Sequence, residues 1–212
     1  MRQKEALTLD LLRATLLTLQ RERNALKATR DRALLLLGFA GAFRRSELAA
    51  LDVGDLRFDR RGLTVTLRRS KTDQGGAGRD VAIPVVNIET LCPVRAMREW
   101  LERADVTEGA VFRTFSMPRR RGKQSQLQTQ RIDAKDVARL VQRVARNAHL
   151  EGDFAAHSLR AGFVTSAAQK MVPEVDIQRV TGHRSIATLR RYVRRATLFE
   201  DAPLTTILES GS

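Results

Sequence analysis

The sequence predicts a mainly α-helical domain carrying one small antiparallel β-sheet, an α+β fold. Three observations support this. Apolar residues recur at helical spacing in several separate segments, clearest at Val137, Leu140, Val141, Val144 and Ala148. Residues 56–86 alone switch to an alternating, β-rich pattern. The chain has 212 residues, of which 42% are hydrophobic, enough to bury one sizeable core.

In chain order, Thr8 is the expected N-cap of a helix in which Leu9, Leu12, Leu16 and Leu19 form an apolar stripe. Residues 21–30 are charged and read as helix or loop, and Asp31 is expected to begin a second helix through Leu34–Leu37 and Phe39. Gly38, Gly41 and Ala42 allow close helix packing there. That helix ends on Arg44-Arg45-Ser46, with Ser46-Glu47 opening the next. Leu63–Leu67 and Arg79–Pro84 alternate around the turn-rich segment 72–78, predicting a hairpin that Leu56–Asp59 extends to three strands. Pro93 opens a helix with Val94, Met97, Trp100 and Leu101 on one side, and Trp100 reads as core. The stripe from Val137 to Ala148 forms another helix, ended by His149, which reads as structural. Ser158 is expected to cap a helix over 159–171, and Pro173-Glu174 to start a short one that stops at Gly182.

Thirty-eight basic side chains against 24 acidic ones give a net charge of +14. Such an excess implies a polyanionic partner, and nucleic acid fits better than a membrane surface because the basic residues are dispersed through folded patterns. No apolar run approaches the length of a membrane span. The chain opens without a signal peptide, and its single cysteine, Cys92, excludes an internal disulfide and reads as a buried thiol in a reducing cytoplasm.

The chemistry concentrates in residues 157–192, which hold two of the three histidines and the only tyrosine. Tyr192 follows His183 by nine positions and is flanked by Arg190, Arg191, Arg194 and Arg195. A phenol ionises near pH 10, so it becomes a nucleophile only beside a base or in a positive field. Arginines supply that field and fork onto phosphate oxygens as charge builds during an in-line attack. With no acidic metal cage in the sequence, the pattern suggests metal-free phosphodiester chemistry through a phosphotyrosine, with no cofactor.

Five motifs in order resemble the tyrosine recombinases, also called the lambda-integrase family: Phe43-Arg44-Arg45-Ser46-Glu47-Leu48, Ser70-Lys71-Thr72, His157-Ser158-Leu159-Arg160, Gly182-His183 and Tyr192. The resemblance spans nearly the whole chain and implies the catalytic-domain fold of that family. It implies Tyr192 as nucleophile, Arg44 and Arg160 as transition-state cations, His157 as base, His183 as a phosphate hydrogen-bond donor and Lys71 as general acid. The family spacing, Arg two residues before Ser, selects Arg44 and leaves Arg45 as a surface or DNA-backbone contact. Glu47 resembles the residue that orients the active-site cations. Arg119, Arg120, Arg121, Lys123, Arg190 and Arg191 are expected phosphate contacts, adding affinity and salt dependence without reading sequence.

On this resemblance, residues 1–212 form one catalytic domain, with the sheet at about 56–86 and an apolar tail from about 197. The family's preceding DNA-clamping domain is expected to be absent, the chain being either an excised domain or a short protein. The implied partners are double-stranded DNA and further copies of the chain, a tetramer in a synapse held through the tail. The implied setting is a prokaryotic, nucleoid-associated cytoplasm. Two other readings share these residues: a type IB topoisomerase acting as a monomer, and a non-catalytic DNA-binding module that keeps the fold.

Overall fold

The computed structural model describes residues 4–68, 78–116, 125–182 and 190. Helix α1 (Leu9–Leu19) starts after Thr8, as expected, but the Thr8 side chain makes no capping bond. The Leu9 N–H donates instead to Ser166 Oγ at 2.8 Å, so a distant helix satisfies an end donor that the local sequence leaves open. Leu12 and Leu19 are buried on its inner face.

Helix α2 (Ala25–Ala40) begins six residues earlier than the sequence reading placed it. Its cap is Asn24, whose side chain accepts from the Lys27 N–H at 3.1 Å. Asp31 therefore lies inside the helix and is fully buried. Arg30 Nε and Nη2 reach one of its oxygens at 2.9 and 2.6 Å, and Arg143 donates to the other. Arg30 also donates to the Arg113 carbonyl at 2.8 Å and lies over the Phe115 ring. A buried carboxylate is tolerated only when its lone pairs are filled in this way, so an acid that looks like a helix start is the centre of an internal ion cluster.

After α2 the chain turns at Ala42 and enters the short helix α3 (Arg45–Ala50). Strands β1 (Leu56–Phe58), β2 (Gly62–Leu67) and β3 (Arg79–Pro84) form the expected antiparallel sheet in the order β1-β2-β3. Leu63, Val65, Leu67, Val81 and Ile83 are buried on its inner face. Helix α4 (Pro93–Arg103) carries Pro93 in its first turn. Trp100 is buried as expected, and its indole N–H donates to the Val111 carbonyl at 2.8 Å. Cys92 is a buried free thiol.

A second sheet, β4 (Arg113–Phe115) against β5 (Leu127–Arg131), has no counterpart in the sequence reading. Every residue in it is exposed or half-buried, so the hydrophobic alternation that marks a strand is absent. Helix α5 (Ala134–Asn147) buries Val137, Leu140, Val141 and Val144 as expected. Ala145 completes the stripe, while Ala148 is the C-terminal cap and His149 follows in a left-handed conformation.

Helix α6 (His157–Gln169) starts two residues before the expected one. Ser158 is not its cap. It is buried in the first turn, where its hydroxyl accepts from the Ala155 N–H at 3.0 Å. Helix α7 (Glu174–Thr181) ends on Gly182 at φ 62°, the left-handed cap predicted for it. Helix α2 runs through the middle of the molecule, packed on α1, α3, α4 and α6. Gly38 on α2 lies so close to α6 that a Cβ there would stand 2.9 Å from Leu159 Cδ1 and equally near Leu48 Cδ1.

The tightest approach is on α6. A Cβ at Gly162 would stand 1.8 Å from the Leu7 carbonyl oxygen, in a segment tied to the helix by the Leu7 N–H bond to the Ser158 carbonyl at 2.9 Å. Backbone must move to admit it. Gly162→Ala is expected to cost about 3 kcal/mol in denaturant unfolding, against less than about 1 kcal/mol for Gly54→Ala, which meets open space.

Candidate active site

The site is built where the end of α2 meets the start of α6. Ala42 adopts φ 48°, a left-handed conformation that costs an alanine about 1 kcal/mol. Phe43 holds it there: its ring is fully buried and its N–H bonds the Gly38 carbonyl at 3.1 Å. The Ala42 carbonyl accepts from Arg160 Nη1 at 2.8 Å. Arg160, only 3% exposed, is thus a buried cation anchored to the turn that delivers Arg44.

Arg44 itself is exposed. Its main-chain N–H donates to Glu47 Oε2 at 2.7 Å and its guanidinium to Glu47 Oε1 at 2.6 Å. Glu47 therefore caps α3 and holds the arginine with one carboxylate. Arg45, the first residue of α3, is exposed and has no place in this pair.

His157 stands one helical turn before Arg160, on the same side of α6. It keeps an exposed face, yet the protein packed around the ring withdraws part of its water. That loss of hydration comes first among the causes that hold its pKa below the ordinary 6.5, followed by the guanidinium charges of Arg160 and Arg44. The imidazole is therefore neutral at pH 7 and able to take a proton.

One further cation enters the group. Arg79, at the start of β3, donates Nη1 to the Val180 carbonyl at the end of α7, at 2.7 Å, and lies in the fields of Glu47 and Arg44. The sequence reading treated it as a strand residue. Its only outward sign was an arginine at the first position of an otherwise alternating strand.

Arg44, Glu47, His157 and Arg160 are thus brought together from two segments more than a hundred residues apart. Arg190, expected to contact phosphate, is exposed and paired with Glu174 of α7 at 3.0 Å. Lys71, Arg119, Arg120, Arg121, Lys123, His183, Arg191 and Tyr192 lie outside the described residues. Among the described residues no group of three or more His, Cys, Asp or Glu side chains could hold a metal ion, and no helix is long and apolar enough to cross a membrane.

Comparison with known proteins gives a consistent result. Residues 7–198 match the model of the phage integrase family. An integrase/recombinase XerD homologue from Selenomonas ruminantium is 38% identical over 184 residues, covering 86% of this chain and 52% of the relative. The tyrosine recombinase XerA of Pyrococcus furiosus is 27% identical over 165 residues, covering 78% of this chain and 50% of the relative. The chain spans about half the length of the curated relatives it matches. Among solved structures, the XerH site-specific recombinase in a post-cleavage complex with its difH substrate superposes with a TM-score of 0.67 at 21% identity, covering 98% of this chain and 53% of that one. A lambda integrase dimer bound to a core site gives 0.61 at 18% identity, covering 91% and 49%. These likenesses establish the fold as that of the tyrosine recombinase catalytic domain.

The depressed pKa of His157 sets a pH dependence. In the unfolded chain the imidazole binds its proton more tightly, so folding stability from this residue is present above the ordinary 6.5 and is lost as pH falls from there through the folded value. Titration by NMR should place the His157 midpoint below the ordinary 6.5. Arg44→Gln should move the His157 midpoint upward; an unchanged midpoint would remove Arg44 from its surroundings.

Proposed function

The chain belongs to the phage integrase family, and from that premise we propose that it is the catalytic domain of a site-specific DNA recombinase or integrase. The observation that carries this reading is the convergence of Arg44, His157 and Arg160 on one another, with Glu47 holding Arg44. Two guanidinium groups and a neutral imidazole at one place suit a phosphodiester. The arginines bind its non-bridging oxygens and stabilise the charge that builds on them, and the imidazole accepts a proton.

In the proposed reaction the Tyr192 phenol loses its proton to His157 and its oxygen attacks the scissile phosphorus. The new bond is the phosphotyrosine at the 3′ end; the bond to the 5′ oxygen breaks, and that oxygen takes a proton from Lys71. His183 donates a hydrogen bond to the phosphate. The ester energy is retained in the phosphotyrosine, so a 5′ hydroxyl from another strand can reverse the same steps without ATP or a metal.

Double-stranded DNA is the proposed partner. The excess of 14 positive charges supports it, as do the relatives that are recombinases on DNA. We place Arg45, Arg119, Arg120, Arg121, Lys123 and Arg191 on the phosphate backbone. Arg190 would join them only by leaving Glu174. The apolar residues Leu204, Ile207 and Leu208 of the tail are proposed to bind a neighbouring copy in a tetrameric synapse. The buried free Cys92 fits a reducing cytoplasm, where such a protein would work on the nucleoid.

The test is a nicked suicide duplex, incubated in EDTA with the protein and with Tyr192→Phe and run on a denaturing gel. The wild type should form a DNA-linked band and the phenylalanine variant none, with its DNA affinity within about threefold of the parent. Adducts in the variant would sink the assignment. Binding should also weaken steeply with salt, since each phosphate contact releases counterions.

A further inference from the structure

Arg79 has a part in this site that the reaction above does not use. It opens β3, opposite Leu67. Its Nη1 bonds the Val180 carbonyl, and its guanidinium lies directly beneath the left-handed cap of α7: a Cβ at Gly182 would meet Cζ and Nε at 3.1 Å. A side chain there would have to push the guanidinium aside by a few tenths of an ångström. Arg79 Nη2 is buried and has no hydrogen-bond partner among the described residues. Burial weakens the hold of this arginine on its proton, the Arg44 charge adds to that effect, and Glu47 opposes it.

A buried donor of a cation left without an acceptor is costly, and it asks for an acceptor that arrives later. Glu47 provides one. In the free protein both of its oxygens serve Arg44. A phosphate that draws the Arg44 guanidinium to itself takes it from Glu47 Oε1, and that carboxylate oxygen, in a side chain only 13% exposed, would then face the phosphate without a cation. Two anions side by side would oppose the binding that Arg44 is there to provide.

We propose that Arg79 is a positioning residue that takes over Glu47 when Arg44 turns from it to the scissile phosphate. Val180 holds one end of its guanidinium fixed, and Nη2 supplies the waiting donor. Arg44 is thereby freed at no loss of neutralised charge on Glu47, and the end of α7, from which the chain leads directly into His183, stays pinned to β3 through the exchange. This rests on the strand-transfer reading above, but its first measurement does not.

That measurement is the rise in melting temperature on adding orthovanadate, a phosphate mimic, to the full chain and to Arg79→Gln. The wild type should be stabilised and Arg79→Gln stabilised far less, with its melting temperature without vanadate kept within a few degrees. An equal rise in both, or none in the wild type, overturns the proposal whatever the protein's reaction. On the suicide duplex, single-turnover adduct formation at saturating protein should slow about 30-fold in Arg79→Gln while DNA affinity stays within about threefold. In a Glu47→Gln background, where no carboxylate is left to take over, Arg79→Gln should slow the reaction by less than about threefold. Multiplying effects, or an Arg79→Gln rate within threefold of wild type, would overturn it. Arg79→Lys keeps the charge and a bond to Val180 and carries the same comparisons should Arg79→Gln fail to fold; failure of both to fold would make Arg79 a structural residue and end the proposal. A wild type that binds vanadate yet forms no adduct would count against the recombinase reading alone.

Discussion

The bond from Arg160 to the Ala42 carbonyl joins two motifs 118 positions apart in the chain. A guanidinium that is almost wholly buried must find acceptors, because leaving it unsatisfied costs several kcal/mol. The acceptor it finds is available only because Ala42 is held in a left-handed turn that aims its carbonyl at α6. Phe43 keeps the turn in place from below, and Gly38 lets Leu159 of α6 come close enough for the bond to form. Arg44 is the residue two positions after that carbonyl. Its position is therefore fixed by the core beneath it and by the other arginine of the site, and the two cations are set relative to each other before any ligand is present.

Such an arrangement is unfavourable to the free protein. Arg44 acts on both Arg79 and His157, Arg160 acts on His157, and the acidic group beside Arg44 and Arg79 is Glu47. Like charges gathered in a partly dry site repel, and the lowered pKa of His157 records first its lost hydration and then that repulsion. In the proposed reaction the cost is recovered when the phosphate enters, because it neutralises the gathered charges, and donors settled on it need no further reorganisation as charge builds. Sites of this kind sit below the stability optimum of the fold for that reason.

The helical frame and the three-stranded sheet were legible because their signals are periodic and local. Val137 to Val144 repeat at helical spacing, and Leu63 to Leu67 alternate, and each pattern states which face is buried. Arg44, Glu47, His157 and Arg160 were legible through a motif order, and the fold gathers them. What escaped depends on partners distant in sequence. Asp31 looks like a helix start until Arg143 and Arg30 are seen around it. Ser158 resembles a cap, yet it is buried within the first turn, and the distant Ser166 serves α1 in place of Thr8. The β4–β5 hairpin has no buried face to announce it. Arg79 carries no local mark of its tie to α7.

The same distinction explains how the chain manages its charge. Its buried acids are spent internally: Asp31 on Arg30 and Arg143, and Asp55, together with half-buried Asp52, on Arg68 and Arg131. These pairs staple α2 to α5, and the turn after α3 to the β2 and β5 strands, so they belong to the fold. Exposed arginines such as Arg45 are the ones proposed to meet the partner. Partly buried pairs are screened far less by salt than exposed charges, whose reach at physiological ionic strength is only about 8 Å. Raising the salt would therefore weaken the proposed DNA contacts well before it reaches the fold's own pairs, while Arg160, Ala42 and Arg44 stay in register.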